Sequence, residues 1–359
     1  MRTLQDLLTY LRNLDIKLWA DGAHLRYSAP KDVLTPQLRS ELIDRKAEIL
    51  ALLQENAGLP QSSIPRVSRE GGVPLSFAQQ RLWFLDQLTH RPTIYNVPSA
   101  MRIKGNLDVP AMERSLSEIV RRHEALRTVF HPRDGLPPLQ VILPPQPIIL
   151  PLLDLRTSPP NLDEQAQDEE AQEAQRAHQV QSLLSQEAGQ PFDLAQGPLV
   201  RFNLIRVRDE EYVFQVTMHH IVTDGWSMGI FFTELSALYQ AFSQAANNKA
   251  APLPAALPEL GIQYADYAQW QREWLSGEVL AKQLDYWRGQ LAGAPPLLQL
   301  PTTHPRPPSQ SFNGATHRFT LGPHLSRRLE ELSREAGATL FMTLQAAFVI
   351  LLSRYTGQH

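Results

Sequence analysis

The sequence predicts an α/β chain built from at least two folded units, and three observations support this class. Some segments repeat apolar residues at helical spacing, while others alternate apolar and polar residues as strands do. Residues 57–73 are rich in Gly, Pro and Ser, which is typical of a linker between a small first unit and a larger body. A length of 359 residues agrees with two or three domains of ordinary size.

The net charge, the lack of cysteine and the absence of a long apolar run exclude several classes of protein. The net charge is −3, from 34 Lys and Arg against 37 Asp and Glu, so we expect no nucleic-acid partner, because such binders carry a strong basic excess. The absence of cysteine excludes disulfides, thiolate metal sites and a cysteine nucleophile. The amphipathic N-terminus and the lack of an 18-residue apolar run predict no signal peptide, no membrane partner and a cytoplasmic location.

The first unit, residues 1–56, is predicted to combine two helices with a hairpin. Leucines recur at helical spacing over 4–14, and 16–27 alternates around an Asp21-Gly22 turn. Thr35 followed by Pro36 is typical of a helix start. The apolar side of this second helix comprises Leu38, Leu42, Ile49 and Leu53.

The body that starts at Pro74 is predicted to mix helices and strands in layers. The expected helices cover 77–88, 110–123, 162–190, 264–275 and 280–291. The expected strands cover 126–130, 199–207, 212–218 and 317–321. A helix follows Asp224, and two more helices end near Tyr355. The last of these is apolar on most sides, as is typical of a buried helix, but no later segment of this sequence is available to cover it, so we expect the second half of the body to be cut off.

The residues best suited to chemistry lie in MHHIVTDG, 218–225, at the end of a strand and before a helix. Neighbouring side chains in a strand point to opposite faces, so only one of His219 and His220 can face a pocket. Histidine suits proton transfer near neutral pH. The residues alone leave two alternatives open: strand-end histidines with Asp224 as a helix cap, or, less favoured, a metal site formed by all three.

Four motifs, in this order along the chain, resemble those of the condensation domains of nonribosomal peptide synthetases. They are SFAQQRLWFL at 76–85, RHEALRTVF at 122–130, HHIVTDG at 219–225 and YADYAQWQR at 264–272. The resemblance covers about 74–356 and implies a chloramphenicol-acetyltransferase-like fold, in which two lobes enclose a tunnel.

On this resemblance the N-terminal lobe is complete and the C-terminal lobe is only begun. The implied division is an N-terminal lobe over 74–293, an inter-lobe linker over 294–311 and the start of the C-terminal lobe over 312–359. We therefore expect the chain alone to be inactive or poorly soluble, because its last helix would present a broad apolar face.

The resemblance implies that the domain joins a carrier-bound acyl or peptidyl thioester to a carrier-bound aminoacyl acceptor through an amide bond. The domain itself is expected to bind no cofactor, because donor and acceptor carrier proteins deliver the 4'-phosphopantetheine arms. His220 is the implied catalytic residue, either as a base or as a positioning group, and His219 is the implied structural one. The motif differs from the DxxxxD of heterocyclising relatives, and the opening motif resembles the subclass that joins an L-configured donor to an L-amino acid.

The resemblance also implies roles for the residues around the histidines. Asp224 is expected to form a salt bridge with Arg122, or otherwise with Arg127, because a buried carboxylate needs a partner. Gly225 is expected to permit a close backbone approach at the turn, and its N–H to face the tetrahedral oxyanion.

The first unit has a resemblance of its own. The segments LLTYLRNLDIKLWADGAHLRYSAP and LTPQLRSELIDRKAEILALL resemble the TubC-type N-terminal docking domain. That family implies a small α/β unit, often a homodimer, that receives the C-terminal tail of an upstream synthase as an added strand. The candidate contacts are Lys17, Leu25, Arg26 and Tyr27, which could equally be ordinary exposed hairpin residues.

Two other functions remain open from the sequence. One is a non-catalytic docking and carrier-protein interaction fragment of a larger synthetase. The other is a free-standing acyltransferase for small diffusible substrates, and the docking-like first unit argues against it.

Overall fold

The computed structural model describes residues 7, 10, 11, 14, 16–21, 24–28, 35–57, 64–88, 93–157, 169–247, 257–308, 310, 312 and 314–358. The chain divides into two compact units. One is Ile64–Arg288, and the other consists of Met1–Ser63 and Gly289–His359.

The N-terminal segment forms the predicted hairpin. Strands β1 (Lys17–Asp21) and β2 (His24–Ser28) pair in antiparallel fashion, with Asp21 opposite His24. The turn residues 22 and 23, and most of the predicted helix over 4–14, lie outside the described residues. The hairpin and the following helices enclose a small core of Leu7, Leu11, Ile16, Leu38, Leu42 and Ile49.

The predicted second helix starts as expected but is interrupted. Thr35 Oγ1 accepts a hydrogen bond from the backbone N–H of Leu38 at 3.2 Å, which caps helix α1 (Pro36–Asp44). The backbone leaves the helical conformation at Arg45, and helix α2 (Lys46–Ala57) then begins. A run of apolar residues at helical spacing does not reveal such a break.

The unit Ile64–Arg288 carries the remaining strands. They are β3 (Val73–Pro74), β4 (Asn96–Lys104), β5 (Thr128–Arg133), β6 (Leu136–Ile142), β7 (Leu152–Asp154), β8 (Val200–Arg208) and β9 (Glu211–His219). Its helices are α3 (Phe77–Leu88), α4 (Val109–Arg122), α5 (Glu169–Ala188), α6 (Gly225–Asn247), α7 (Tyr264–Trp274) and α8 (Gly277–Gln290), with 3-10 turns at Glu124–Arg127 and Leu155–Thr157. The six helices and the strands β5, β8 and β9 lie close to the predicted ones, whereas β3, β4, β6 and β7 were not predicted. The first part of the predicted helix over 162–190 lies outside the described residues.

A four-stranded sheet ordered β4-β9-β8-β7 forms the centre of this unit. Strand β9 is buried along nearly its whole length, and its alternate residues face opposite layers. Tyr212, Phe214, Val216 and Met218 pack with apolar residues of α4 and α6. On the other face Val213 packs beside α5. The result is a helix–sheet–helix sandwich, and the end of β9 and the residues that follow it form the 219–225 motif.

The segment 64–72, predicted as part of a linker, is instead bonded into the body. The guanidinium of Arg66 donates to the carbonyls of Gly261 and Leu260 at 2.7 and 3.0 Å. The backbone N–H of Val67 donates to Asp266 Oδ1 at 2.9 Å. The predicted linker over 57–73 is therefore too long at its C-terminal end, because long-range hydrogen bonds tie down residues whose composition is that of a loop.

The segment Gly289–His359 contains helices α9 (Pro323–Glu335) and α10 (Leu340–Thr356). The predicted strand at 317–321 is wrong, because these residues make no ladder with another strand. Helix α10 has no buried residue, which agrees with the expectation that it presents a broad apolar face. Ser333 Oγ and Thr343 Oγ1, 2.7 Å apart, join it to α9.

No single helix among the described residues is both long and apolar enough to cross a membrane. Taken together, α9 and α10 reach the required length and composition, but they are bent by 105° at their junction.

Candidate functional site

The two adjacent histidines face different surroundings. His219, the last residue of β9, is fully buried on the sheet face that carries α5. His220 is the next residue; it is exposed and lines a cavity of about 660 Å³ that lies within the unit Ile64–Arg288. Met218, two residues earlier, lines the same cavity. Strand alternation therefore separates the histidines as the sequence predicted.

His219 is held as a neutral ring. Its Nδ1 accepts a hydrogen bond from the backbone N–H of Ile221 at 3.1 Å, and the rings of Tyr95 and Phe192 contact it edge-on. Its Nε2 is buried and has no hydrogen-bond partner among the described residues. Burial, with a smaller effect from the nearby His220, lowers the pKa of His219 to about 4. His219 thus supports the turn and takes no part in proton exchange with the cavity.

This burial predicts a pH-dependent stability. The unfolded chain protonates His219 near its ordinary pKa of 6.5, whereas the folded chain resists protonation until about pH 4. The associated stability is fully present above pH 6.5 and is lost as the pH falls toward 4, by roughly 3 kcal/mol. Urea unfolding across this range should show a shallower pH slope for His219→Gln, while the exposed His131→Ala should keep the wild-type slope. Equal slopes for wild type and His219→Gln would contradict a buried neutral ring.

The ring of His220 lines the cavity, and one of its nitrogens is bonded to the protein. Its Nδ1 lies 2.8 Å from the carbonyl oxygen of Thr223. A carbonyl only accepts hydrogen bonds, so Nδ1 carries the proton and the neutral ring has its lone pair on Nε2. Its backbone N–H donates to the carbonyl of Tyr95 at 2.8 Å. The ring is thereby oriented with a free acceptor nitrogen, as a proton acceptor requires.

Asp224 caps helix α6 and does not pair with an arginine. Its Oδ1 accepts hydrogen bonds from the backbone N–H and the hydroxyl of Ser227 at 2.7 and 2.6 Å. These bonds lower the pKa of the exposed carboxylate. The predicted salt bridge is therefore wrong, and the helix-cap alternative is the one that the structure shows. Asp224 lies at the exposed helix start, where it needs no buried partner.

Both candidate arginines have other partners. Arg122 is buried and pairs with Glu234, which lies on α6, at 3.2 Å to each carboxylate oxygen. Arg127 donates to the carbonyl of Leu143 at 2.6 Å and lies 3.9 Å from Glu124. Arg122 thus ties α4 to α6, whereas Arg127 stabilises the loop that follows β6.

Gly225 is the first residue of α6 and is exposed. A Cβ built at this position would meet no atom within 4 Å, and its φ is not in the left-handed region. The predicted close backbone approach is therefore wrong, because an ordinary helix start requires no glycine here. The oxyanion role of its N–H stays a prediction.

Sequence reasoning missed a second histidine at the cavity. His123 lines it, and His123 Nε2 lies 2.6 Å from Glu234 Oε2. A signal for this pair was present: Glu234 is an acidic residue within the apolar side of α6, beside Phe231 and Leu235. Charged residues are rarely buried without a partner, so such a position indicates a buried pair.

Tyr264, the first residue of the motif at 264–272, also lines the cavity. Its hydroxyl lies 2.9 Å from Ser76 Oγ, and burial raises its pKa. Among the described residues, no group of three or more His, Asp or Glu side chains is arranged to hold a metal ion. His219 and His220 point to different sides of the sheet end and do not share one ligand sphere.

The motifs, the sandwich and this cavity agree with the comparison with known families. Residues 69–359 match the condensation domain, and residues 4–55 match the TubC N-terminal docking domain. The chain belongs to the condensation-domain family of nonribosomal peptide synthetases. The predicted fold class and the order of its two domains are thereby confirmed.

Relatives of this condensation domain include a linear gramicidin synthase of Brevibacillus parabrevis, 52% identical over 292 residues. The match covers 81% of this chain and 5% of that protein, so the chain spans about one-twentieth of the curated relative's length. The X-domain from teicoplanin biosynthesis is 31% identical with a TM-score of 0.66, covering 81% of this chain and 59% of that one. The EpoB NRPS cyclization-docking bidomain from Sorangium cellulosum is 25% identical with a TM-score of 0.68, covering 98% and 65%.

In the docking domain, the predicted contact residues differ in exposure. Arg26 and Tyr27 are exposed, and the guanidinium of Arg39 donates to the hydroxyl of Tyr27 at 3.1 Å. Leu25 packs against the small core and is therefore less accessible than predicted. Lys17 lies in β1, and its side chain is outside the described residues.

Proposed function

We propose that this condensation domain forms an amide bond between a carrier-bound acyl or peptidyl thioester and a carrier-bound aminoacyl acceptor. The observation that carries the proposal is the orientation of His220 at the cavity. Its Nδ1 is bonded to the carbonyl of Thr223, so Nε2 is left as the acceptor nitrogen of a ring that lines the cavity. An acceptor at this position can take a proton from the attacking amine or hold the amine in place for attack.

The size and chemistry of the cavity fit this reaction. Its volume of about 660 Å³ lies in the range of small-molecule sites, and most of its lining is apolar. An apolar wall keeps water from a thioester, and the polar groups at His220 and Tyr264 are few and local. The chemistry needs no resident cofactor, because the 4'-phosphopantetheine arm arrives with each carrier protein.

The test is product formation between two separately loaded carrier proteins, followed by mass spectrometry of the carrier-bound species. A polypeptide that carries these residues should transfer the donor acyl group to the acceptor amine. Hydrolysis of the donor with no amide product would oppose the proposal. If both loaded carriers bind and neither reacts, the non-catalytic interaction fragment would be favoured.

We propose further that the docking domain receives the C-terminal tail of an upstream synthase along β2, and that it forms a homodimer. Arg26 and Tyr27 are exposed on this strand, and an added strand bonds mainly through the backbone. Isothermal titration of the full chain with an acidic tail peptide should show weaker binding for Arg26→Glu than for wild type. Sedimentation of the same chain tests the dimer. We also propose a cytoplasmic location, where loaded carrier proteins would meet the domain.

A further inference from the structure

A second histidine beside the cavity is anchored by a buried ion pair. His123 follows the last turn of α4, and its Nε2 lies 2.6 Å from Glu234 Oε2. Arg122 Nε lies 3.2 Å from both oxygens of the same carboxylate. Arg122 and Glu234 are 6% and 8% exposed, so the anchor lies inside the protein, whereas a quarter of the His123 side chain remains accessible.

This arrangement decides which nitrogen of His123 is free. Both oxygens of Glu234 accept from the guanidinium of Arg122, and a carboxylate only accepts hydrogen bonds. His123 Nε2 therefore donates its hydrogen to Glu234, and the neutral ring has its lone pair on Nδ1. Among the described residues, Nδ1 has no hydrogen-bond partner. His123 and His220 thus each have one nitrogen bonded to the protein and one left for a ligand.

Other polar side chains of the cavity wall are already engaged. Gln263 donates through Nε2 to the carbonyl of Arg122 and accepts through Oε1 from the backbone N–H of Glu124. Gln79 Oε1 accepts from the backbone N–H of Ser76. An amide group that enters this mostly apolar cavity loses its water, and an unpaired buried N–H is unfavourable. His123 Nδ1 can replace that water.

We propose that His123 is a substrate-positioning residue of the condensation reaction, whose Nδ1 accepts a hydrogen bond from an amide N–H of a carrier-borne substrate. Glu234 and Arg122 fix the orientation of the ring, which lines the cavity. The proposal rests on the proposed amide-forming function. The interaction is made before the chemical step and is kept during it, so its loss weakens binding more than turnover.

Two substitutions separate this role from a structural one. The side-chain amide of His123→Gln reaches the position of Nε2, so this variant retains the bond to Glu234 and loses the acceptor at Nδ1. His123→Asn places an oxygen near the position of Nδ1 and loses the bond to Glu234. We expect His123→Gln to raise the KM for one of the two loaded carriers by about 5- to 15-fold, with kcat changed by less than about 3-fold. We expect His123→Asn to raise that KM less and to lower the Tm more.

The outcomes distinguish the two proposals. If wild type forms no amide in this assay, the proposed function and this inference fall together. If wild type is active and His123→Gln matches it in KM and kcat, only the role of His123 is overturned. A purely structural role predicts the reverse order, with His123→Asn the more impaired in KM and His123→Gln unchanged.

Discussion

Replacing His220 with alanine is expected to reduce the rate of amide formation by about 10²- to 10⁴-fold. The substitution removes the histidine at the end of β9 that lines the cavity in the described structure, because His219 is buried on the opposite side. The rate should be measured from the mass of the carrier-bound product under single-turnover conditions. Single turnover separates the chemical step from carrier exchange.

The matched control is His131→Ala, which removes an exposed histidine on β5 of the same unit. It should leave the rate unchanged. The thermal unfolding of His220→Ala should also remain near that of wild type, because the side chain is exposed and makes one hydrogen bond to Thr223. A His220→Ala protein that forms amide at the wild-type rate would remove the central argument for the proposed function.

Replacing Arg122 with methionine is expected to destabilise the unit Ile64–Arg288 by about 3–5 kcal/mol. The change leaves Glu234 buried without its guanidinium partner and with His123 as its remaining side-chain contact, and a buried carboxylate that has lost its counter-charge is strongly unfavourable. Urea unfolding gives the free energy directly. The double variant Arg122→Met/Glu234→Leu should recover much of the loss, because removing both charges leaves neither uncompensated.

Asp224→Ala provides the comparison for this prediction. In this structure Asp224 is an exposed helix cap, and its loss should cost about 1 kcal/mol. In the arrangement predicted from sequence, Asp224 and Arg122 would be partners, and their substitutions would cost similar amounts. Equal losses for Asp224→Ala and Arg122→Met would therefore contradict the pairing described here.

Local patterns predicted much of the fold. The bounds of α3 match the predicted 77–88, and the hairpin β1–β2 and the pair β8–β9 occur where alternating residues indicated them. Two predictions about the fold were wrong, and each has a physical reason. The segment 317–321 has strand-like residues, but a strand exists only where a partner completes its hydrogen bonds. The segment 64–72 has the composition of a loop, yet distant groups near Asp266 hold it in the body.

In the candidate site, too, some features follow from the local sequence and others depend on distant contacts. The opposite directions of His219 and His220 follow from the two-residue period of a strand, so the alternation by itself determined that only one of them could reach the cavity. The resemblance of the motif to its family singled out His220. The motifs in the same sequence determined the family. These properties depend on neighbours within a few residues or on an ordered set of short segments.

Only the tertiary structure decided the partners of the charged residues. Arg122 and Glu234 are 112 positions apart, and they meet because α4 and α6 pack on the same face of the sheet. Asp224 caps the exposed start of the helix that carries Glu234, and it accepts its hydrogen bonds from Ser227. Whether Arg122 pairs with Asp224 or with Glu234 depends on helix packing and burial, because an ion pair forms where desolvated charges approach within a few ångströms. A sequence motif does not contain the distances between residues that are far apart along the chain.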